Sequence, residues 1–475
     1  MIKFYLRLVL LLMVCTQPAW AQVLNPNDPV VTYSSSNPPS QPTWGQIGKW
    51  VRTKRVSWNS DTYKCYIYKG MQFRLMYPKN FNAADTSKKY PLIIFFHGIG
   101  EKGSIYDNEY QLYHGGQIHQ SRVNSGAFDG FLLYAQNNGG YWGNTQYDYM
   151  NELINNFFIQ QLNVDPFRVM IEGLSGGGMA TWDFLFRYPK LVAGATPISA
   201  ANDTYDDYVQ SWKYTPLWQF QGGVDRNPAP AVAQMIETAA KNAGANYKLK
   251  IYDGQGHGVW NLAWSETDYF PFMSRANKAN PWPLYGRTEF CPGDPVNTTL
   301  GLTAGFDAYE WRKDGALIAG ANSNTLLVTS FGTYTARVRS GSRWSQWSPI
   351  PVVVQTKQPT VTPNIQMAGL QSNVLPTPEG KDSVVLSLPD GYASYAWMKS
   401  GGTDTLGRAM NFTAREAGSY IARVTEQYGC SSSFSTPFPV IDAAGANAPD
   451  PAGGLPRGGV PRVPGDGLPR AYGHF

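Results

Sequence analysis

The stretch IEGLSGGGMATW, Ile171 to Trp182, sets a single serine among glycines, between an apolar run and a segment with helical patterning. Gly173-x-Ser175-x-Gly177 is the spacing of a nucleophile elbow, in which small residues let a strand turn sharply into a helix and leave the serine hydroxyl exposed. The same letters fit an ordinary glycine-rich turn. The motif therefore decides nothing until the chain supplies a base, an orienting acid and donors for an oxyanion.

Outward from this stretch, short apolar runs alternate with longer amphipathic ones. Strands are predicted at FRLMYP from Phe73, YPLIIFFHG from Tyr90, GFLLYAQ from Gly130, FRVMIEGLS from Phe167, TPLWQFQGG from Thr215 and YKLKIYDGQG from Tyr247. Helices are predicted at YDYMNELINNFFIQQL, GMATWDFLFRYP and AVAQMIETAAKNAGA. Such alternation implies the α/β class, with a mostly parallel, doubly wound sheet whose sites lie at the carboxyl ends of strands.

The chain has five histidines, and only His257, in YDGQGHGVW, lies on the loop after the last predicted strand of the alternating region, where a base for Ser175 belongs. Asp225, in LWQFQGGVDRNPAP, ends the preceding strand and is the expected acid. Asp253 is its rival, while Asp203, Asp206 and Asp207 are expected on a surface loop. FFHGIGEKG puts His97 and Gly98 directly after a very apolar strand, where the N–H groups of Ile99 and Gly176 would form the oxyanion site. His97 is expected to anchor that loop, with Glu101 either holding it by a hydrogen bond or standing as a plain surface carboxylate. Tyr141, Trp142, Trp260 and Trp264 would either form an aromatic platform beside the site or pack the core, and Trp142 and Trp260 are the two assigned to substrate. The expected chemistry, serine attack assisted by His257, calls for no metal or organic cofactor.

Composition bounds the rest. A chain of 475 residues that is 43% hydrophobic and 14% aromatic has material for several cores. MIKFYLRLVLLLMVCTQPAWA has the order of a secretory signal peptide, so residues 1–21 are expected to be cleaved before Gln22 and the protein to be secreted, cell-surface or periplasmic. Losing Lys3 and Arg7 takes the formal charge from +5 to +3, too mild to argue for nucleic acid, and no membrane partner is expected after cleavage. Three cysteines then remain, Cys65, Cys291 and Cys430, an odd number whose spacing suits no metal site. Residues 22–60 read as an extended lead-in and 61–285 as the catalytic domain. Residues 443–475 read as a disordered tail rich in glycine, proline and arginine.

Beyond residue 285 an internal repeat replaces the helical pattern. Tyr309, Trp311, Lys313, Gly332, Tyr334 and Arg337 recur at Tyr395, Trp397, Lys399, Gly418, Tyr420 and Arg423, each 86 residues on. With a Trp early and a Gly-x-Tyr strand later, each copy resembles an immunoglobulin-like sandwich, giving domains at 286–356 and 357–442. Ala336 and Ala422 stand where that family has its second cysteine, so the inter-sheet disulfide is expected to be absent and Cys291 and Cys430 each read as half of a lost pair.

YPLIIFFHGIGEKG, NVDPFRVMIEGLSGGGMATWDFLFRYP and GQGHGVW together resemble the secreted esterase and depolymerase group of α/β-hydrolases, over residues 70 to 275. That group includes feruloyl and acetylxylan esterases, polyhydroxybutyrate depolymerase-like proteins and prolyl-oligopeptidase-like hydrolases. The resemblance implies an α/β-hydrolase sheet followed by two small all-β sandwiches, a triad in the order Ser175, Asp225, His257, and hydrolysis of carbohydrate-linked or polymeric esters. A serine peptidase and a surface-binding protein with an inactive hydrolase domain are the alternatives. Gly176 departs from the Met or Gln often found after the nucleophile, which should loosen the pocket wall. The repeats are expected to act as a spacer or as a module for carbohydrate or cell surface, and residues 22–285 are expected to fold without them.

Overall fold

The computed structural model describes residues 24–35, 42–358, 360–369, 372–427 and 429–443. The signal-peptide reading and the tail beyond residue 443 lie outside the described residues, among which no helix is long and apolar enough to cross a membrane.

The chain builds a nine-stranded sheet from β1 (Ile47–Lys49), β2 (Tyr63–Tyr68), β3 (Met71–Met76), β4 (Tyr90–Phe96), β5 (Phe131–Ala135), β6 (Val164–Leu174), β7 (Val192–Ile198), β8 (Leu217–Gly222) and β9 (Tyr247–Tyr252). Their order is β1-β2-β3-β5-β4-β6-β7-β8-β9. β1, β2 and β3 pair antiparallel, as do β3 and β5; every pairing from β5 across to β9 is parallel. This is the α/β-hydrolase arrangement, with β1 added at one edge.

Residue alternation along the central strands divides two cores. Tyr90, Leu92, Ile94 and Phe96 of β4 face one cluster, together with Trp182 and Phe184 of the helix Gly176–Arg187. Ile93 and Phe95 face the other, together with Trp264, Phe270 and Met273. The sequence reading passes over β7, because VAGATPI is poor in strand formers; burial between β6 and β8 overrides that weak propensity.

The lead-in does not stand apart from the catalytic domain. β1 lies within residues 22–60 and pairs with β2, Leu24 is fully buried, and the Trp50 indole donates to the Ile105 carbonyl at 3.0 Å. The buried Glu109 carboxylate accepts from the Val56 N–H at 3.1 Å and from Ser60, and lies 3.6 Å from the Arg74 guanidinium. This charged group, compensated inside the protein, ties the lead-in to the sheet.

The first sandwich is likewise not an independent appendage. It shares one compact unit, through Thr356, with the nine-stranded sheet. Its core around Trp311, Leu300, Val338 and Val354 takes in Phe167, which belongs to β6 of that sheet. Trp282–Pro283 pairs with Thr298–Gly301 of the sandwich. Lys278 is buried, its ammonium 2.8 Å from the Pro189 carbonyl, 2.9 Å from that of Val192, 3.0 Å from the Thr215 hydroxyl and 2.6 Å from that of Thr303. A catalytic domain closed at residue 285 would therefore lose part of its own packing.

The second unit comprises Lys357 onward together with Cys291–Gly293. Its sheets run Gln366–Met367, Val384–Ser387 and Asn411–Ala414 in one and Val374–Leu375, Phe438–Asp442, Gly418–Thr425 and Ser394–Lys399 in the other. The 86-residue repeat extends to hydrogen bonds. The Trp311 indole donates to the Ser323 carbonyl at 2.8 Å and that of Trp397 to Ala409 at 2.9 Å. The Tyr334 and Tyr420 hydroxyls each donate 2.8 Å back to the carbonyl four residues earlier. The cysteine reading needs correction: Cys291 and Cys430 are disulfide-bonded to each other, 139 residues apart in sequence, and Cys65 is the free, buried thiol. Sequence offset pointed each at a vacant position in the other copy, whereas the pairing joins residues that are not repeat equivalents.

Candidate active site

Ser175 sits between β6 and the helix Gly176–Arg187 with φ 54° and ψ −122°, a left-handed conformation that costs a non-glycine residue strain. The flanking glycines are fixed by close approach. A Cβ at Gly173 would fall 2.2 Å from the Gly177 carbonyl oxygen, and one at Gly177 would fall 1.9 Å from that of Phe96. The Ser175 N–H donates to the Ile198 carbonyl at 2.9 Å, which ties the elbow to the end of β7.

His257, after β9, and Asp225, after β8, converge on this hydroxyl. His257 Nε2 lies 2.8 Å from Ser175 Oγ, and its Nδ1 lies 2.8 Å from Asp225 Oδ2. Asp225 is buried and accepts further bonds from Gln221 Nε2 and the Asn227 N–H, each at 3.0 Å, so its carboxylate is held in one orientation. Asp253, the rival acid, is an exposed turn residue, as is Asp203, whereas Asp206, half-buried, and Asp207, exposed, lie in the 3-10 helix Tyr205–Tyr208. Sequence reading missed two supports: Gln221 on the acid, and Ser199 at the end of β7, whose hydroxyl donates to the His257 carbonyl. The rule that sites gather at the carboxyl ends of strands marks both positions.

Ile99 and Gly176 are brought together as well. A Cβ at Gly176 would meet Ile99 Cγ1 at 2.8 Å and lie 3.5 Å from the Ile99 nitrogen. Each residue opens a helix, Ile99–Glu101 and Gly176–Arg187, so each presents an N–H without an intrahelical acceptor. The expectation of a loosened wall is thereby corrected: Gly176 lets Ile99 close against the elbow. His97 is buried, with Nδ1 donating to the Gly98 carbonyl at 2.7 Å and Nε2 accepting from the Asn137 N–H at 2.9 Å. Burial pushes its pKa down to about 4, which keeps the ring neutral. Glu101 does not hold it; that carboxylate lies 3.4 Å from His114 Nε2 instead.

The four aromatic candidates separate. Trp264 is 2% exposed and belongs to the core. Trp142 is 8% exposed and donates its indole N–H to the His97 carbonyl at 3.0 Å, so it braces the oxyanion loop while lining a cleft. Tyr141, 73% exposed, lines the same cleft. Trp260 packs 6.2 Å from the His257 ring and 5.0 Å from that of His114.

No family model matches the chain. It is 30% identical to the carboxylesterase SOBER1 of Arabidopsis thaliana over 101 residues, which are 20% of this chain and 44% of that protein, so the chain spans less than half the length of the curated relative it matches. Among solved structures, a thermostable esterase is 22% identical with a TM-score of 0.41, over 46% of this chain and 63% of that one. A ferulic acid esterase is 19% identical, TM-score 0.33, over 43% and 92%. Esterase 2 of Thermogutta terrifontis in its apo form is 14% identical, TM-score 0.35, over 46% and 94%.

Proposed function

We propose that this chain is an exported serine hydrolase of carboxylic esters, acting on carbohydrate-linked or polymeric substrates. The observation that carries the reading is the continuous relay from Asp225 through His257 to Ser175, at 2.8 Å in each step, on a strained elbow. In this reading His257 Nε2 removes the Ser175 proton as the oxygen attacks the ester carbonyl, and Asp225 stabilises the imidazolium. The Gly176 and Ile99 N–H groups receive the developing oxyanion. His257 then protonates the departing alcohol, and water repeats the cycle on the acyl-enzyme.

The test is turnover of 4-nitrophenyl acetate by the mature protein and its variants. Ser175→Ala and His257→Ala are expected to lose on the order of 10⁴- to 10⁶-fold in kcat with unchanged circular dichroism. Asp225→Asn should lose somewhat less. A Ser175→Ala protein retaining a tenth of the activity, or an Asp253→Asn variant more damaged than Asp225→Asn, would sink the assignment.

A further inference from the structure

One stripe of the helix Gly176–Arg187 borders a cleft, although Ala180 on it also belongs to the core. Gly176, Met179, Ala180 and Asp183 recur at the i, i+3, i+4, i+7 spacing of a single helical stripe, and all line a cleft of about 690 Å³. Seven residues of helix put Asp183 about 10 Å along the axis from the oxyanion donor. Its carboxylate accepts from the Tyr147 hydroxyl at 3.3 Å and from that of Tyr205 at 3.4 Å, one bond to each oxygen. An ionised carboxylate offers about four acceptor positions, so two remain for an occupant of the cleft. Burial raises its pKa, and the two tyrosine bonds oppose that rise. The exposed rings of Tyr141 and Tyr208 and the amide of Asn202 line the same cleft.

Resting on the ester hydrolase reading above, we infer that Asp183 is the specificity-determining residue of this cleft: it accepts hydrogen bonds from the hydroxyls of an uncharged sugar ring carrying the ester, and it turns away rings that carry a carboxylate. Flat aromatic faces beside amide and carboxylate acceptors suit a ring with apolar faces and hydroxyl edges. Among the described residues that line the cleft Arg187 is the one cation, and it is already held by Asp148 through bonds of 2.9 and 3.0 Å, so little positive charge offsets repulsion of an anion by Asp183. Selection thus has an attractive and a repulsive element in one group.

The experiment compares Asp183→Asn and Tyr208→Ala with the unaltered protein. Activity is read on acetylated xylotetraose and on 4-nitrophenyl acetate. Binding of xylotetraose and of tetragalacturonic acid is read by calorimetry on the Ser175→Ala background. In Asp183→Asn the loss of kcat/KM on the acetylated sugar should exceed the loss on the nitrophenyl ester by about tenfold or more, as expected for a hydrogen bond to a charged acceptor. Xylotetraose binding should weaken in step, and tetragalacturonic acid should bind the variant but not its parent. Equal losses on both esters, or unchanged xylotetraose binding, would overturn the inference. So would a loss confined to methyl ferulate, which would mark a phenol site, or to acetylcholine, which would mark a cation site. A protein that binds xylotetraose through Asp183 yet cleaves neither ester would overturn the hydrolase reading and leave the cleft assignment standing.

Discussion

At the scale of single residues, the contact between Gly176 and Ile99 sets the spacing of the two N–H groups proposed as oxyanion donors. Adding a methyl group at 176 drives a Cβ to 2.8 Å from Ile99 Cγ1, so the Ile99 side chain must rotate or its loop must shift. Gly176→Ala is expected to lower kcat on 4-nitrophenyl acetate by about 10²- to 10³-fold, the cost of losing one donor. Ile99→Ala removes the obstructing atom, so in that background the second substitution should cost much less; a strictly multiplicative double mutant would refute the coupling. His97 adds a pH term to the same loop. Its native pKa is about 4, below the roughly 6.5 of an unfolded histidine, so between these values the unfolded chain binds more protons. Stability from this group is therefore present above about 6.5 and is lost as pH falls towards 4, by at most about 3 kcal/mol. Urea midpoints at pH 7 and pH 5 should draw together in His97→Gln, and an unchanged gap would remove His97 from the account. The residues of the elbow and relay were readable from sequence because their spacing follows from strand–turn–helix geometry. Glu101 was misread because its partner His114 comes from a separate loop that no periodicity locates.

At the scale of elements, the strands with continuous apolar runs were visible, while β1, β2 and β7 were not. β1 is three residues long and gains its pairing from β2, so local pattern carries almost no trace of it. The join between hydrolase and first sandwich was hidden for a related reason: Phe167 and Lys278 look like ordinary hydrolase residues until the sandwich packs on them. Burial brings the Lys278 amine down to about 7, against about 10.4 for an unfolded lysine, although four oxygen acceptors hold its ammonium. Between these values the unfolded chain again carries more protons, so this group's contribution makes stability rise with pH from about 7 to about 10, by no more than about 5 kcal/mol. Lys278→Met should flatten that rise in denaturant titrations at pH 7 and pH 9. It should also lower stability at pH 7, since it leaves the carbonyls and hydroxyls around it unpaired. A variant as stable as its parent, with the same pH slope, would show that the ammonium does not fasten the sandwich.

At the scale of the whole molecule, the repeat in the sequence suggested two interchangeable modules, and the packing treats the two copies differently. The first shares a compact unit with the nine-stranded sheet, while the second forms its own unit with Cys291–Gly293. Sequence similarity between the copies concerns their internal cores, Trp311 with Tyr334 and Trp397 with Tyr420, and these are alike in both. What distinguishes them lies on the hydrolase side, where Phe167 enters the first core and Gly301 leaves no space for a Cβ, which would fall 2.1 Å from the Tyr214 ring. Truncation separates the consequences. A protein ending at Thr356, with Cys291→Ser to remove the thiol left by loss of Cys430, should fold and hydrolyse 4-nitrophenyl acetate within about twofold of full length, because a unit with its own core folds alone. A protein ending at residue 285 exposes Phe167 and strips Lys278 of its bond to Thr303, so it should melt well below the longer form or fail to fold. Equal melting temperatures and equal turnover for the two truncations would mean that the first sandwich contributes nothing to the hydrolase and that the shared core is only apposition.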